Sequence, residues 1–535
     1  MLPGGLRLTV DSGWFGETEA RLVEDKVAPG LAMKNPRLWG PDAESEASIR
    51  LGWVDLPLTA RPLLAEIDAL RAELRQEGLD HIVLTGMGGS SLAPEVITRT
   101  AGVELTVLDS TDPGVIRRAL ADRLDRTVLV VSSKSGTTVE TDSHRRAYLQ
   151  AFAAAGIDGP SRIVVVTDPG SPLAKLAESE GYRRTFLADP HVGGRYSALT
   201  AFGLVPSGLA GVDVADLLDE AAAVMDGLAD PSARNPGLTL GAALGAAHNA
   251  GRDKVVLGEG DTAIAGFAAW AEQLIAESTG KQGKGLLPVD VGGSSARTPG
   301  WGDIGGDATP VAIGMPAHPV DAQIISDGPL GAMFLLWETA VAVAGRVIGI
   351  NPFDQPNVEQ AKAQARTLLD NPSAGDGLPL AFTEGAVEVY GSPDAIRGAD
   401  TLAAVLGSLH DLVPADGYIA LQAYLDHEAD AGASDLRALV AARNGVQTTF
   451  GWGPRFLHST GQYHKGGHPN GAFVQLTGVV TDDLDVPGRP YTFGTLQRAQ
   501  AAGDATVLAG TGRPVVRLHL TDRPAGLGQV RAALQ

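Results

Sequence analysis

The chain has 535 residues, 44% of them hydrophobic, and a formal charge of −21; that is long for one core, so two or three domains are expected. The negative balance argues against nonspecific nucleic-acid binding, which rests on Lys and Arg neutralising phosphates, and the absence of cysteine excludes disulfides and thiolate metal sites. With no run of eighteen apolar residues and no basic-then-apolar N-terminus, neither a membrane span nor a signal peptide is expected, and a cytoplasmic location is.

Residues 1–60 read as a loop-rich lead-in. From residue 62 the pattern becomes regular, with a helix, "LLAEIDALRAELRQEG", that stops at Gly78 as helix C-termini often do. Strand "HIVLTG", glycine turn "MGGSS" and a helix from "APEVI" follow. The alternation continues through strands "LTVLDS", "TVLVVSS" and "RIVVVTD", each followed by a helix. Such alternation predicts βαβ units and a parallel sheet, with ligands in the crevice beyond the carboxyl ends of the strands. A boundary is expected near residue 230, after "GVDVADLLDEAAAVMDGLAD". A second α/β unit then contains strands "KVVLGEG" and "TPVAIG" and helices "FAAWAEQLIAES" and "GAMFLLWETAVAVAGRVIG". The segment "DNPSAGDGLP" reads as a linker. Beyond it, strands "GYIALQAYL", "GAFVQLTGVV" and "PVVRLHLTD" and helix "ASDLRALVAARNG" suggest a further α/β extension. The expected domains are 1–230, 231–370 and 371–535. No internal sequence repeat stands out.

Four segments carry chemistry. "GMGGSSLAP" is a strand-to-helix turn in which glycines such as Gly89 let backbone approach a ligand, helix-start amides attract anions, and Ser90 adds a hydroxyl; a plain tight βα turn would use the same glycines. "SSKSGTTVET" places Ser133, Ser135 and Thr138 where their hydroxyls can face one pocket, beside Lys134. A helix cap needs one such residue, whereas a phosphate monoester needs several donors, so a sugar-phosphate cradle is favoured. In "HVGGRYSALTAFG", Gly194 and Arg195 suggest close backbone and a fixed cation for developing negative charge, although the segment by itself favours a loop arginine paired with a carboxylate. "AEQLIAESTGK" puts Gln273 and Glu277 on one helical face. A glutamate near a helix C-terminus opposes the dipole, which raises its pKa and suits a general base; a solvated helix glutamate is the alternative. Neither a dinucleotide fingerprint nor a nucleotide triphosphate loop is present, and no cofactor or metal is expected.

Taken in order, "GMGGSSLAP", "SSKSGTTVET", "VGGRYSALTAFGL", "EQLIAESTGK" and "NPFDQPNVEQAK" resemble the signature segments of the phosphoglucose isomerase family over about residues 80–370. "PRFLHSTGQYHKGG" is similar to a segment of the isomerase portion of bacterial transaldolase–phosphoglucose isomerase fusions; no transaldolase-like half is read here, so that activity is not expected. The resemblance implies two flavodoxin-like, parallel-sheet sugar isomerase (SIS) domains of αβα type plus the C-terminal α/β extension. It also implies a homodimer and interconversion of glucose 6-phosphate and fructose 6-phosphate without a cofactor. On it, Ser90, Ser133, Ser135 and Thr138, with the Lys134 backbone, would hold the phosphate. Arg195 and the Gly194 amide would stabilise the enediolate, and Glu277 would be the base. Gln273 and Gln355 would line the site, and Lys362 would assist ring opening.

One departure bears on mechanism. The ring-opening histidine of the animal-type enzymes has no counterpart in "GPLGAMFLLWETA". The C-terminal segment holding His458, His464 and Lys465 is a candidate substitute, with His464 expected as the catalytic group; a structural role for these residues is the alternative, and a metal site is disfavoured because no carboxylate lies beside them at ligand spacing. His81, His144, His248 and His519 are expected to serve packing or surface hydrogen bonds. Dual action on mannose 6-phosphate, or a SIS-type sensor that binds sugar phosphate without turnover, are the rival readings; a sensor would need neither Glu277 nor Arg195.

Overall fold

The computed structural model describes residues 2–11, 13–316, 318, 322–356, 369 and 378–535. In chain order, β1 (Arg7–Val10) precedes a helical stretch, and then β2 (His81–Thr85), β3 (Thr106–Leu108), β4 (Thr127–Ser132), β5 (Ile163–Thr167) and β6 (Arg184–Leu187) form a wholly parallel sheet in the order β3-β2-β4-β5-β6. Every residue of β4 is buried, which is why "TVLVVS" reads as an unbroken apolar run rather than an alternating one.

The second sheet contains β7 (Lys254–Glu259), β8 (Leu287–Gly293), β9 (Ala308–Ile313) and β10 (Ile324–Asp327), ordered β1-β10-β9-β7-β8, with β1 antiparallel at the edge. The third contains β11 (Leu380–Glu384), β12 (Val387–Gly391), β13 (Tyr418–Tyr424), β14 (Gln447–Trp452), β15 (Gly471–Gly478) and β16 (Val515–Leu520), ordered β11-β12-β16-β15-β13-β14. Its last four strands are parallel. Counted from the first parallel strand of each unit, all three sheets share the order 2-1-3-4 of flavodoxin-like folds. The repetition lies in topology, where a search for a sequence period does not see it.

The lead-in departs from expectation. Residues 1–60 contain helices Gly16–Glu24 and Pro41–Ala47 as well as β1, which joins the second sheet, with Arg7 opposite Asp327. Four residues are too few for alternation to declare a strand. One apolar core runs from Leu6 to Phe353 through the first two units, while the third unit has its own, from Val387 to Leu534.

The helix Leu330–Ile348 is long and apolar enough to cross a membrane by composition, but 89% of it is buried within the protein. It packs on helix Pro236–Asn249, whose Gly241 leaves no room for a Cβ beside Val343. In its middle sits Glu338, fully buried, with neither carboxylate oxygen hydrogen-bonded among the described residues, and desolvation pushes its pKa well above the ordinary value. A folded pKa above the unfolded one means that stability present below the unfolded pKa is lost as pH rises toward the folded value. Relative to Glu338→Gln, the wild type is therefore expected to lose about 1.4 kcal/mol per pH unit as pH rises above the ordinary carboxylate range. Denaturant midpoints across that range measure it; parallel curves for the two proteins would show that Glu338 does not titrate on unfolding.

Candidate active site

A cavity of about 590 Å³ opens beyond the carboxyl ends of β2 and β4, bounded by all three units. The hydroxyl-rich turn forms one wall. Ser133 Oγ lies 2.9 Å from Thr138 Oγ1 and accepts from the Gly136 amide at 3.1 Å. Ser135 Oγ pairs with Thr137 Oγ1 at 3.0 Å and accepts from the Thr137 amide. Gly136 has φ +69°, and a Cβ there would press on the backbone nitrogen of Leu173, so glycine sets the turn. Helix Val139–Ala154 starts directly after Thr138, aiming its free amides at the same space. Ser132 Oγ, also on the wall, is buried without a partner among the described residues. The Lys134 ammonium bonds Asp168 at 2.5 Å, so its charge is partly compensated.

The second wall comes from two glycine turns in contact. A Cβ on Gly89 would overlap the carbonyl of Gly194, and one on Gly88 would clash with Gln273 and the His458 carbonyl. This close approach accounts for the glycines better than an ordinary βα turn. Gly89, Ser90 and Gly194 face the cavity.

Helix Phe267–Thr279 supplies Gln273 and Glu277, its Trp270 packing edge-on against Phe334 at 4.6 Å. Gln273 Nε2 donates to the His458 carbonyl at 2.8 Å and approaches Glu277 Oε1 at 3.4 Å; its own Oε1 has no partner among the described residues. Glu277 is 4% exposed, and burial raises its pKa, with Arg195 opposing. Arg195, just behind the lining, spends its whole fork. Nε donates to Ser278 Oγ at 3.0 Å, Nη1 to Gln355 Oε1 at 3.2 Å and toward Glu277 Oε2 at 3.4 Å, and Nη2 to the carbonyls of Pro352 and Asp354 at 2.7 and 3.0 Å. The Glu277 contact is the longest of these. Lys281, absent from the sequence reading of the site, donates to the Asp354 carbonyl and carboxylate at 2.5 and 2.7 Å; burial and then Arg195 lower its pKa to about 7.

The third unit closes the cavity with Leu457, His458, Leu496 and Gln500. His458 Nε2 lies 3.1 Å from Glu140 Oε1, a buried carboxylate in the first turn of the helix behind the hydroxyls. Here the sequence expectation needs correction. His464 is not on the cavity wall: it is buried against Tyr418, Phe456 and Phe473 within the third unit, 3.5 Å from Gln422, and desolvation pushes its pKa well below the ordinary value. The adjacent Lys465 is buried on Asp504 at 2.5 Å. Of the expected residues, Gly89, Ser90, Ser133, Lys134, Ser135, Thr138, Gly194, Gln273, Glu277 and Gln355 line one cavity and Arg195 touches two of them; Lys362 lies outside the described residues. His144 has the structural role expected, held between Thr85 and the Ser110 carbonyl. Glu140 and Gln500 carry no local signature and could not be picked out from spacing.

Comparison with known proteins gives the family and the fold. The family model described as phosphoglucose isomerase matches residues 73–308. A glucose-6-phosphate isomerase of Symbiobacterium thermophilum is 31% identical, over 69% of this chain and 97% of that protein. One from Rubrobacter xylanophilus is 30% identical, over 60% and 89%. The crystal structure of a glucose-6-phosphate isomerase from Chlamydia trachomatis, 20% identical, superposes with a TM-score of 0.56 over 70% of this chain and 90% of that one, which shows a shared fold. With identity of this extent along nearly the whole of a relative, this chain belongs to the phosphoglucose isomerase family.

Proposed function

We propose that this chain interconverts glucose 6-phosphate and fructose 6-phosphate, with Glu277 as the proton-transferring base. One observation carries the reading: the hydroxyl turn Ser133–Thr138, Glu277 and the cavity-facing Gly194 lie on the walls of a single cavity, with Arg195 against the base. The phosphate is held by Ser133, Ser135 and Thr138 and by backbone amides at the helix start. Opening the glucose ring breaks C1–O5, places a proton on O5 and removes one from the C1 hydroxyl. His458, backed by Glu140, is the group on the wall suited to that exchange. Glu277 then removes the proton from C2, forming an enediolate with the charge on O1; the O2 proton passes to O1, and Glu277 returns its proton to C1, leaving the carbonyl at C2. Arg195 provides a fixed positive charge, and its long Nη1 contact to Glu277 is the one a developing oxyanion can compete for. The family resemblance supports a homodimer, which sedimentation at assay concentrations tests.

Fructose 6-phosphate conversion, followed by coupling the product to glucose-6-phosphate dehydrogenase, tests the activity, with mannose 6-phosphate in parallel. Turnover of fructose 6-phosphate is expected; binding without turnover would instead favour a sensor. For the cradle, Thr138→Val removes one hydroxyl from a charged acceptor, worth about 1.5–3 kcal/mol. KM is expected to rise about 10-fold or more with a smaller change in kcat. An unchanged KM would take Thr138 out of the phosphate site.

A further inference from the structure

The third unit does more than lend His458 to the cavity wall. Helix Phe493–Gly510 lays Gln500 against the first unit, where its amide is held from both ends. Thr111 Oγ1 donates to Gln500 Oε1 at 2.8 Å, and Gln500 Nε2 donates to Glu140 Oε1 at 2.7 Å. Oε1 of Glu140 is the same oxygen that faces His458 Nε2. Thr111, Gln500 and Glu140 are all buried. The amide orientation follows from this network, because a hydroxyl that donates to one end and a carboxylate that accepts from the other admit a single assignment.

From this chain of contacts we infer that Gln500 is a positioning residue for ring opening: it fixes the Glu140 carboxylate so that His458 is held with Nε2–H toward Glu140 and Nδ1 left to exchange a proton with the sugar. The inference rests on the reading of His458 as the ring-opening group. The physical reason is geometric. A carboxylate on a helix can swing about its own torsions, and an imidazole that follows it presents the wrong edge. Anchoring Oε1 from the opposite side by an amide that Thr111 has already oriented removes that freedom, as an outer partner does for a metal-bound or catalytic histidine. The contacts alternate between units, Thr111 and Glu140 from the first, Gln500 and His458 from the third. The alignment of the imidazole is thus set by how the third unit seats on the first.

A substrate that cannot form a ring separates this role from a merely structural one. 5-Deoxyfructose 6-phosphate lacks the hydroxyl that closes the furanose, so its conversion in the ketose-to-aldose direction requires proton transfer by Glu277 but no ring opening. Gln500→Leu is expected to lower kcat on glucose 6-phosphate about 10–100-fold, the usual cost of losing such an outer partner, with little change in KM and near-normal turnover of the deoxy compound. Thr111→Val, nearly isosteric, is expected to shift the same ratio in the same direction by less, and serves if Gln500→Leu folds poorly. His458→Ala is expected to show the same split, more strongly. Equal loss on both substrates, or no loss, in Gln500→Leu and Thr111→Val while His458→Ala keeps its split would overturn the positioning role alone. If His458→Ala also treats both substrates alike, the ring-opening reading falls and the positioning role with it.

Discussion

Glu277→Gln is expected to bind glucose 6-phosphate with an affinity close to that of the wild type and to isomerise it at least about 10²–10⁴-fold more slowly, the range that a positioned general base contributes. The substitution keeps volume and leaves the phosphate turn untouched, so the phosphate contacts survive. It also replaces a buried carboxyl whose pKa burial already raises, so the fold should be at least as stable as before. Calorimetric titration with substrate, beside the coupled assay, reads both halves. Turnover within a few-fold of wild type would remove Glu277 from the base role, whatever else lines the cavity.

Arg195→Met should cost about 10²–10³-fold in kcat/KM, comparable to removing an oxyanion donor, and should also move the acid limb of the pH profile. The sign follows from the groups around Glu277: burial raises its pKa, and the Arg195 charge is the largest influence holding it down. Without that cation the carboxyl stays protonated to higher pH, so the pH at which activity is half lost on the acid side rises. Arg195→Lys is not expected to rescue, because an ammonium cannot reproduce a fork that reaches Ser278, Gln355 and two carbonyls at once. A profile that falls in height but keeps its acid limb in place would mean that Arg195 does not tune the base.

Much of the first unit is legible in the sequence because parallel strands buried on both faces announce themselves. "HIVLT", "TVLVVS" and "IVVVT" are continuous apolar runs ended by small or polar residues, and each is a strand. The candidate site is legible to the same depth, since hydroxyls and glycines at strand ends are local features. What is not legible depends on distant partners. β8 "LPVDVGG", β14 "QTTFGW" and β12 "VEVYG" mix polar residues and glycine into short strands and are recognisable mainly by the neighbours they pair with. His458 and His464 stand six positions apart in one segment and look equivalent, but the first sits in the turn Arg455–His458 facing the cavity and the second in helix Gly461–Gly466 facing the third unit's core. Glu140 reads as the first acidic residue of a helix; only packing of the third unit, 318 and 360 residues further along the chain, gives it His458 and Gln500.

The most direct test of the account is where solvent hydrogen goes. Fructose 6-phosphate incubated with the wild type in heavy water and followed by NMR should acquire one deuterium at C1 and, after conversion, one at C2 of glucose 6-phosphate, while Glu277→Gln under the same conditions should incorporate none above background. Deuterium incorporation and turnover by Glu277→Gln at rates close to those of the wild type would show that another group carries the proton, and would contradict proton transfer through Glu277.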